Sequence, residues 1–125
     1  FAEEFAESAG KILGNTAVIT DRDQVIAVSG SSVRDLLEKQ ISDRLADLLE
    51  EKNSILITDS SNACYITNDD RHSDSYRSQV VVPIVSQGYL IGSIILVSTD
   101  GIMGDTELKT AEVGAAFIAK QMELN

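Results

Sequence analysis

Phe1, Phe5, Ala9 and Ile12 recur at spacings of four, four and three, which lays them on one face of a helix with Glu3, Glu4 and Glu7 elsewhere around it. Gly14-Asn15 is a C-cap signal that stops it. Residues 16–20 (TAVIT) and 24–29 (QVIAVS) are β-branched runs separated by Asp21-Arg22-Asp23, the pattern of an antiparallel hairpin that Gly30 ends. Ser32 is a candidate N-cap for a short helix over 33–39 with Asp35 in its first turn. Ser42 is one for a longer helix over 43–52 that carries Leu45, Leu48 and Leu49. Residues 54–58 predict a strand, 63–67 a weaker one, and the polar, acidic stretch 68–75 a solvated loop. Two strong strands follow near 77–86 and 89–98, joined at Gln87-Gly88, where glycine supplies the positive φ of a tight hairpin. Pro83 inside the first implies a bulge or an unpaired N–H. Gly92 inside the second implies that another element comes close.

After Gly101 and Gly104, Asp105 can cap a final helix running to about Glu123. Leu108, Ala111, Ala115, Ile118 and Met122 repeat there at three, four, three and four, the seam of a helix pair. Val113, Phe117 and Leu124 fall nearly opposite, and Lys109, Glu112, Lys120 and Glu123 leave only a narrow polar strip. A helix apolar on two sides needs two partners. One is a sheet; the other is a helix, and the first helix, with its small Ala2, Ala6 and Ala9, is the candidate within the chain or across a dimer. The element order gives an α+β domain, an antiparallel sheet flanked by helices, because a doubly wound parallel fold would alternate strand and helix.

At 125 residues the chain makes one domain, and 43% hydrophobic content lets it bury a core without a disulfide or metal staple. Ten Lys and Arg against twenty Asp and Glu leave a net charge of −10, spread along the whole length. Nucleic-acid grip concentrates positive charge on one face, so this segment is not expected to touch DNA or RNA itself, nor an anionic membrane. The single cysteine, Cys64, excludes an intrachain disulfide or a Cys-based zinc site and fits a cytoplasmic location. The first residue is Phe1, as in a segment of a longer protein.

His72, the only histidine, lies among Asp69, Asp70 and Asp74, but one imidazole with loop carboxylates lacks the fixed spacing of a metal site, and no GxSxG elbow is present. Cys64, between Ala63 and Tyr65 with no basic neighbour in sequence, reads as a buried, inert thiol. No catalytic set, metal or cofactor is expected. Gly30, Ser31, Ser32 and Arg34 are the local candidates for a ligand contact. A strand ending in small residues before a helix start offers backbone N–H groups, two hydroxyls and a cation to a carboxylate or phosphate, although a plain turn with an N-cap explains the same residues.

FAEEFAESAGKILGNTAVITDRDQVIAVSGSS (1–32), VPIVSQGYLIGSIILVS (82–98) and MGDTELKTAEVGAAFIAKQME (103–123) resemble the C-terminal GAF domains of the stage V sporulation protein T family, transcription regulators of spore-forming bacteria. The likeness spans nearly the whole chain and is loosest over 53–79. It implies an antiparallel sheet with the terminal helices packed together and serving a homodimer or higher homo-oligomer. Phe5, Ala9, Leu108, Ala111, Ala115, Ile118 and Met122 are then the expected helix-packing residues at or near the interface. It also implies DNA contact only through a preceding AbrB-type domain, and a small-molecule pocket between the sheet and its covering segments. Several GAF chemistries are set aside: sulfoxide reductases need more than one cysteine, cyclic-nucleotide members carry an NKFDE pattern, and bilin binders place a cysteine beside a histidine. The expected function is a non-enzymatic sensing and dimerisation module, or else a purely structural dimerisation domain.

Overall fold

Five strands form one antiparallel sheet in the order β2-β1-β5-β4-β3, with β1 Thr16–Asp21, β2 Val25–Val28, β3 Ile55–Ile57, β4 Ser78–Ser86 and β5 Tyr89–Ser98. The computed structural model describes Glu3, Glu4, Ala6, residues 16–70 and residues 72–123; of Ser31, Ser32 and Ser73 it describes the backbone alone. Two α-helices, α1 (Asp43–Glu50) and α2 (Asp105–Glu123), and a 3-10 segment, Ser31–Leu36, accompany the sheet.

Side chains two apart on a strand share a face, so each strand divides its residues between two cores. Ile19, Val80, Val82, Ile84, Ile94 and Leu96 bury one face with Ala111, Ala115, Ile118 and Ala119 of α2 and with Ala6. Val18, Val81, Ile95 and Val97 bury the other with Val33 and Leu36 of the 3-10 segment, Leu45 and Leu49 of α1, and Cys64, Ile66 and Tyr76. These are the helix face and the loop face of the sheet.

The hairpin between β4 and β5 turns at Gln87 and Gly88, both at positive φ (52° and 85°), the backbone of a two-residue turn matched to strand twist. Gly92 pairs with Asp21, and a Cβ placed on it would collide with the Thr20 carbonyl, so the close approach is real and is by β1. Pro83 lies past Val81, the last residue of β4 paired with β3, where β4 has only β5 beside it. The bulge itself falls between Ile84 and Val85.

Four expectations are corrected. The short helix is not 33–39 with Ser32 as cap. It is a 3-10 turn over 31–36 that follows Gly30 without a side-chain cap, and the i, i+3 eclipse of that geometry drives both Val33 and Leu36 inward. Residues 63–67 form no strand: Thr67 makes an isolated bridge to Ile41, while the Gln79 side-chain amide takes the backbone bonds of Cys64. Asp105 is the first residue of α2 rather than its cap; the Gly104 N–H donates to the Glu107 carboxylate at 3.1 Å. The stripe containing Ala111, Ala115 and Ile118 lies on the sheet, chiefly on β4, because Ala111, Gly114, Ala115 and Ala119 let the helix settle closely. Met122 falls off it and is exposed.

Candidate functional site

Gly30 turns the chain out of β2 at φ 87° and ψ 146°, a conformation costly to any residue with a Cβ. Just before it, Ser29 is buried. Its Oγ accepts the Ala17 N–H at 2.9 Å and its own N–H donates to the Ala17 carbonyl at 2.8 Å, so the small residues of AVSGSS clamp β2 to β1. Beyond the turn, Arg34 is exposed and lines a cleft of ≈ 380 Å³ with Glu3, Ile26, Val28, Leu37 and Glu38, along the outer side of β2. Of the four expected ligand contacts, Arg34 therefore lines a cleft and Gly30 shapes the turn beside it. The side chains of Ser31 and Ser32 lie outside the described residues.

Ser42 organises the other flank. Its Oγ accepts the Leu45 N–H at 3.0 Å, capping α1, and donates to the Tyr65 carbonyl at 2.6 Å, while its N–H reaches the Ile66 carbonyl at 2.8 Å. The irregular 63–67 segment is thereby fixed to the start of a helix. From the sheet side, Gln79 grips Cys64 twice: Oε1 accepts the Cys64 N–H at 2.8 Å and Nε2 donates to the Cys64 carbonyl at 2.9 Å. Burial pushes the Cys64 thiol up, and the side chain is packed in the loop-face core.

The loop that follows is anchored from within. Asp70, buried, accepts the Ile66 N–H at 3.1 Å, the His72 N–H at 2.9 Å and the Tyr76 hydroxyl at 3.2 Å. Burial, followed by the charge of Asp70, pushes the Tyr76 phenol far above its ordinary range. At the surface Lys39 donates to Asp69 at 2.9 Å, and His72 Nε2 sits 2.9 Å from Asp35 Oδ1. Hydrogen bonds from Lys39 and Thr67 hold the Asp69 carboxyl below the usual carboxylate range, and that from His72 does the same for Asp35. Among the described residues, no group of three His, Cys, Asp or Glu side chains is placed to hold a metal ion.

On α2, Ala111, Ala115 and Ile118 are buried and Leu108 is half-buried. The outward side carries Val113, Phe117 and Met122, with 70%, 50% and 56% of their surfaces exposed. The expected packing residues Phe5 and Ala9 lie outside the described residues. Ala6 shares the buried core of α2, so the beginning and end of the chain meet on the helix face.

Residues 1–123 match the family described as stage V sporulation protein T C-terminal, transcription factor. The chain belongs to that family. It is 40% identical over 123 residues to stage V sporulation protein T of Bacillus subtilis strain 168, a match covering 98% of this chain and 67% of that protein. Two solved structures share its fold at low identity. One is the cofactor-binding GAF domain of the nutrient sensor CodY from Clostridium difficile, with TM-score 0.76, 17% identity, 96% of this chain and 83% of the other. The second is the GAF domain of a phosphoenolpyruvate-protein phosphotransferase from Coxiella burnetii, with TM-score 0.79, 13% identity, 97% of this chain and 79% of the other.

These likenesses and the sheet order establish the α+β GAF architecture, and the family makes this stage V sporulation protein T C-terminal domain a regulatory domain of transcription control in sporulation. Two polar groups that organise its loop face, Gln79 and Asp70, escape the sequence reading. Gln79 stands where alternation along β4 leaves an inward position, and that is the one signal it carries. Asp70 is indistinguishable in sequence from its solvated neighbours Asn68 and Asp69.

Proposed function

We propose that this domain is the sensing and dimerisation module of its transcription factor. It works in the cytoplasm without enzymatic activity, and DNA is gripped by an AbrB-type domain elsewhere in the full-length protein. The observation that carries the reading is the outward side of α2. A regulatory domain that turns Val113 and Met122 to solvent after its other stripe has sealed the sheet offers a second copy an apolar contact surface. Among the described residues no helix is long and apolar enough to cross a membrane. A small molecule bearing a carboxylate or phosphate would meet the Arg34 cation in the cleft that it lines, with Gly30, Ser31 and Ser32 kept as candidate contacts from the sequence. It would act on DNA affinity to the extent that it favours one arrangement of the two subunits over another.

Sedimentation of Val113→Asp tests the dimer. The expected outcome is a monomer with the circular dichroism of the wild type; a dimer of undiminished stability removes this placement.

The second reading, a structural dimerisation domain that binds nothing, is favoured by a specific observation. The loop face is filled by its own side chains, with Leu36, Leu45, Leu49, Ile66 and Tyr76 all fully buried. A metabolite thermal-shift screen on wild type and Arg34→Ala separates the two. Sensing predicts a compound that raises the wild-type melting temperature and loses its effect in the variant; a screen without any such compound supports the structural reading.

A further inference from the structure

We propose that the cleft between α2 and the open edge of β4 binds a small zwitterion, whose anionic end meets Lys52 and whose cationic end meets Glu112. β3 pairs with β4 only from Gln79 to Val81, and among the described residues β4 runs on to Ser86 with no strand on its outer side. α2 lies over β4 there, and a cleft of ≈ 250 Å³ remains between the two. Its apolar wall is Val82, Pro83 and Val85 on the strand with Ala115 and Ala116 on the helix, and the alanines leave it room because nothing extends beyond their Cβ atoms. Pro83 has no N–H to offer an added strand, so this stretch of edge is poorly suited to extending the sheet and better suited to a compact occupant. The cleft beside Arg34 runs along β2, at the opposite edge of the sheet, and is a separate place.

The rim supplies two opposite charges, each held by a neutral partner. Lys52 lies just past α1 at φ 60°, its N–H donating to the Leu49 carbonyl at 3.0 Å. Its Nζ donates to the Gly88 carbonyl at 2.8 Å, which ties the ammonium to the β4–β5 hairpin and leaves it further N–H groups to give. On the helix side of the cleft, Ser54 donates its hydroxyl to Glu112 Oε2 at 3.0 Å, and Oε1 of that carboxylate remains open. Glu112 forms no ion pair with Lys109, one turn earlier on its own helix, or with Lys52; among the described residues neither Lys52 nor Glu112 has a charged partner. An anion at Lys52 alone would stand in the field of Glu112, and a cation at Glu112 alone in that of Lys52. A molecule that carries both charges is attracted at both ends. Apolar walls with a few placed polar groups are the make-up of a small-molecule site.

NMR titration of the 15N-labelled protein tests the site with glycine, γ-aminobutyrate and ε-aminocaproate, which carry the same two charges at increasing separation, and with butyrate and butylamine, which carry one each. At least one zwitterion is expected to shift the amides of Lys52, Ser54, Val82 and residues 112–116 along a saturable curve, with both singly charged probes binding more weakly. Glu112→Gln keeps an acceptor for Ser54 but loses the charge, and it should weaken that zwitterion by about threefold to fivefold while binding butyrate no less well than wild type. Ala116→Leu keeps both charges and fills the cleft, and it should abolish the shifts. Both positions are exposed, and an amide spectrum unchanged away from the cleft shows that each variant is folded. The proposal is overturned if no zwitterion gives a saturable shift, if butyrate or butylamine moves the same amides as strongly, or if Glu112→Gln binds the zwitterion as wild type does.

Discussion

On the helix face of the sheet, Ile19, Val80, Val82, Ile84, Ile94 and Leu96 meet Ala111, Ala115, Ile118 and Ala119 in an apolar layer, and a buried polar side chain, Ser78, stands at the end of β4, its Oγ accepting the Met103 N–H at 3.0 Å. On the loop face, apolar packing is interspersed with buried polar groups. Gln79 holds Cys64, Ser42 caps α1, Asp70 gathers two N–H groups and the Tyr76 hydroxyl, and Thr20 and Ser93 share a 2.6 Å hydroxyl contact. The first face is held by non-directional burial, for which shape and area suffice. The second covers the sheet with short, irregular segments, and several of their backbone groups, those of Cys64, Tyr65, Ile66 and His72 among them, are paired by side chains. Specificity of structure on the loop face is thus concentrated in a few residues, and the same face carries the 3-10 segment and the loop that Asp70 anchors.

The largest expected effect tests the sidedness of α2. Ala111→Asp places an unpaired charge against the apolar layer and should destabilise the domain by about 3–5 kcal/mol, read by denaturant unfolding. Val113→Asp, on the outward side of the same helix, should change monomer stability far less and act on association instead. Equal losses of stability in both variants would break the assignment of α2 to the helix face.

The contrast also sets how far the fold can be read from residues alone. Along β1, β4 and β5 the short runs rich in β-branched residues are enough to place the strands, and Gln87-Gly88 and Gly92 mark the turn and the close approach, because each of these is a local demand on one residue. The stripe on α2 is legible as a stripe, but its spacing fits a sheet or a helix equally well. Met122 separates from the buried set only once the direction to β4 is known. The loop face is where local reading fails. Residues 63–67 have the composition of a strand, and what prevents one is a glutamine 15 positions away that takes both backbone groups of Cys64. Asp70 belongs to a stretch that is polar on average, and its burial depends on Tyr76 and on the Ile66 amide arriving around it. As for the candidate site, Arg34 and the turn at Gly30 are visible in sequence as a cation beside small residues; the cleft beside them, formed with β2 and Glu3, is not.

A next, smaller effect sharpens the loop-face side of the comparison. Gln79→Leu keeps the side chain's size and apolar surroundings but leaves the Cys64 N–H and carbonyl without their partner. The expected cost is about 2–3 kcal/mol in equilibrium unfolding, accompanied by faster hydrogen exchange across 63–67. If directional bonds matter as little here as on the helix face, the substitution will be close to neutral, since leucine is at home in either core.

The smallest effect concerns the rim of the loop face, where the Lys39–Asp69 pair closes the outside of the loop that Asp70 anchors from within. Asp69 has its carboxyl held below the ordinary range by the hydrogen bonds from Lys39 and Thr67. A carboxyl depressed in the folded state contributes stability that is present above its unfolded pKa, about 3.9 for aspartate, and that disappears as pH falls through the lower folded value. Wild type should therefore melt slightly above Asp69→Asn near neutral pH, and the two curves should converge once the medium is more acidic than both values. Because the carboxyl is solvent-exposed, added salt should shrink the neutral-pH difference as well. A difference that persists undiminished at low pH and high salt would mean that Asp69 acts through packing and not through charge, and the rim of the loop face would then resemble the helix face after all.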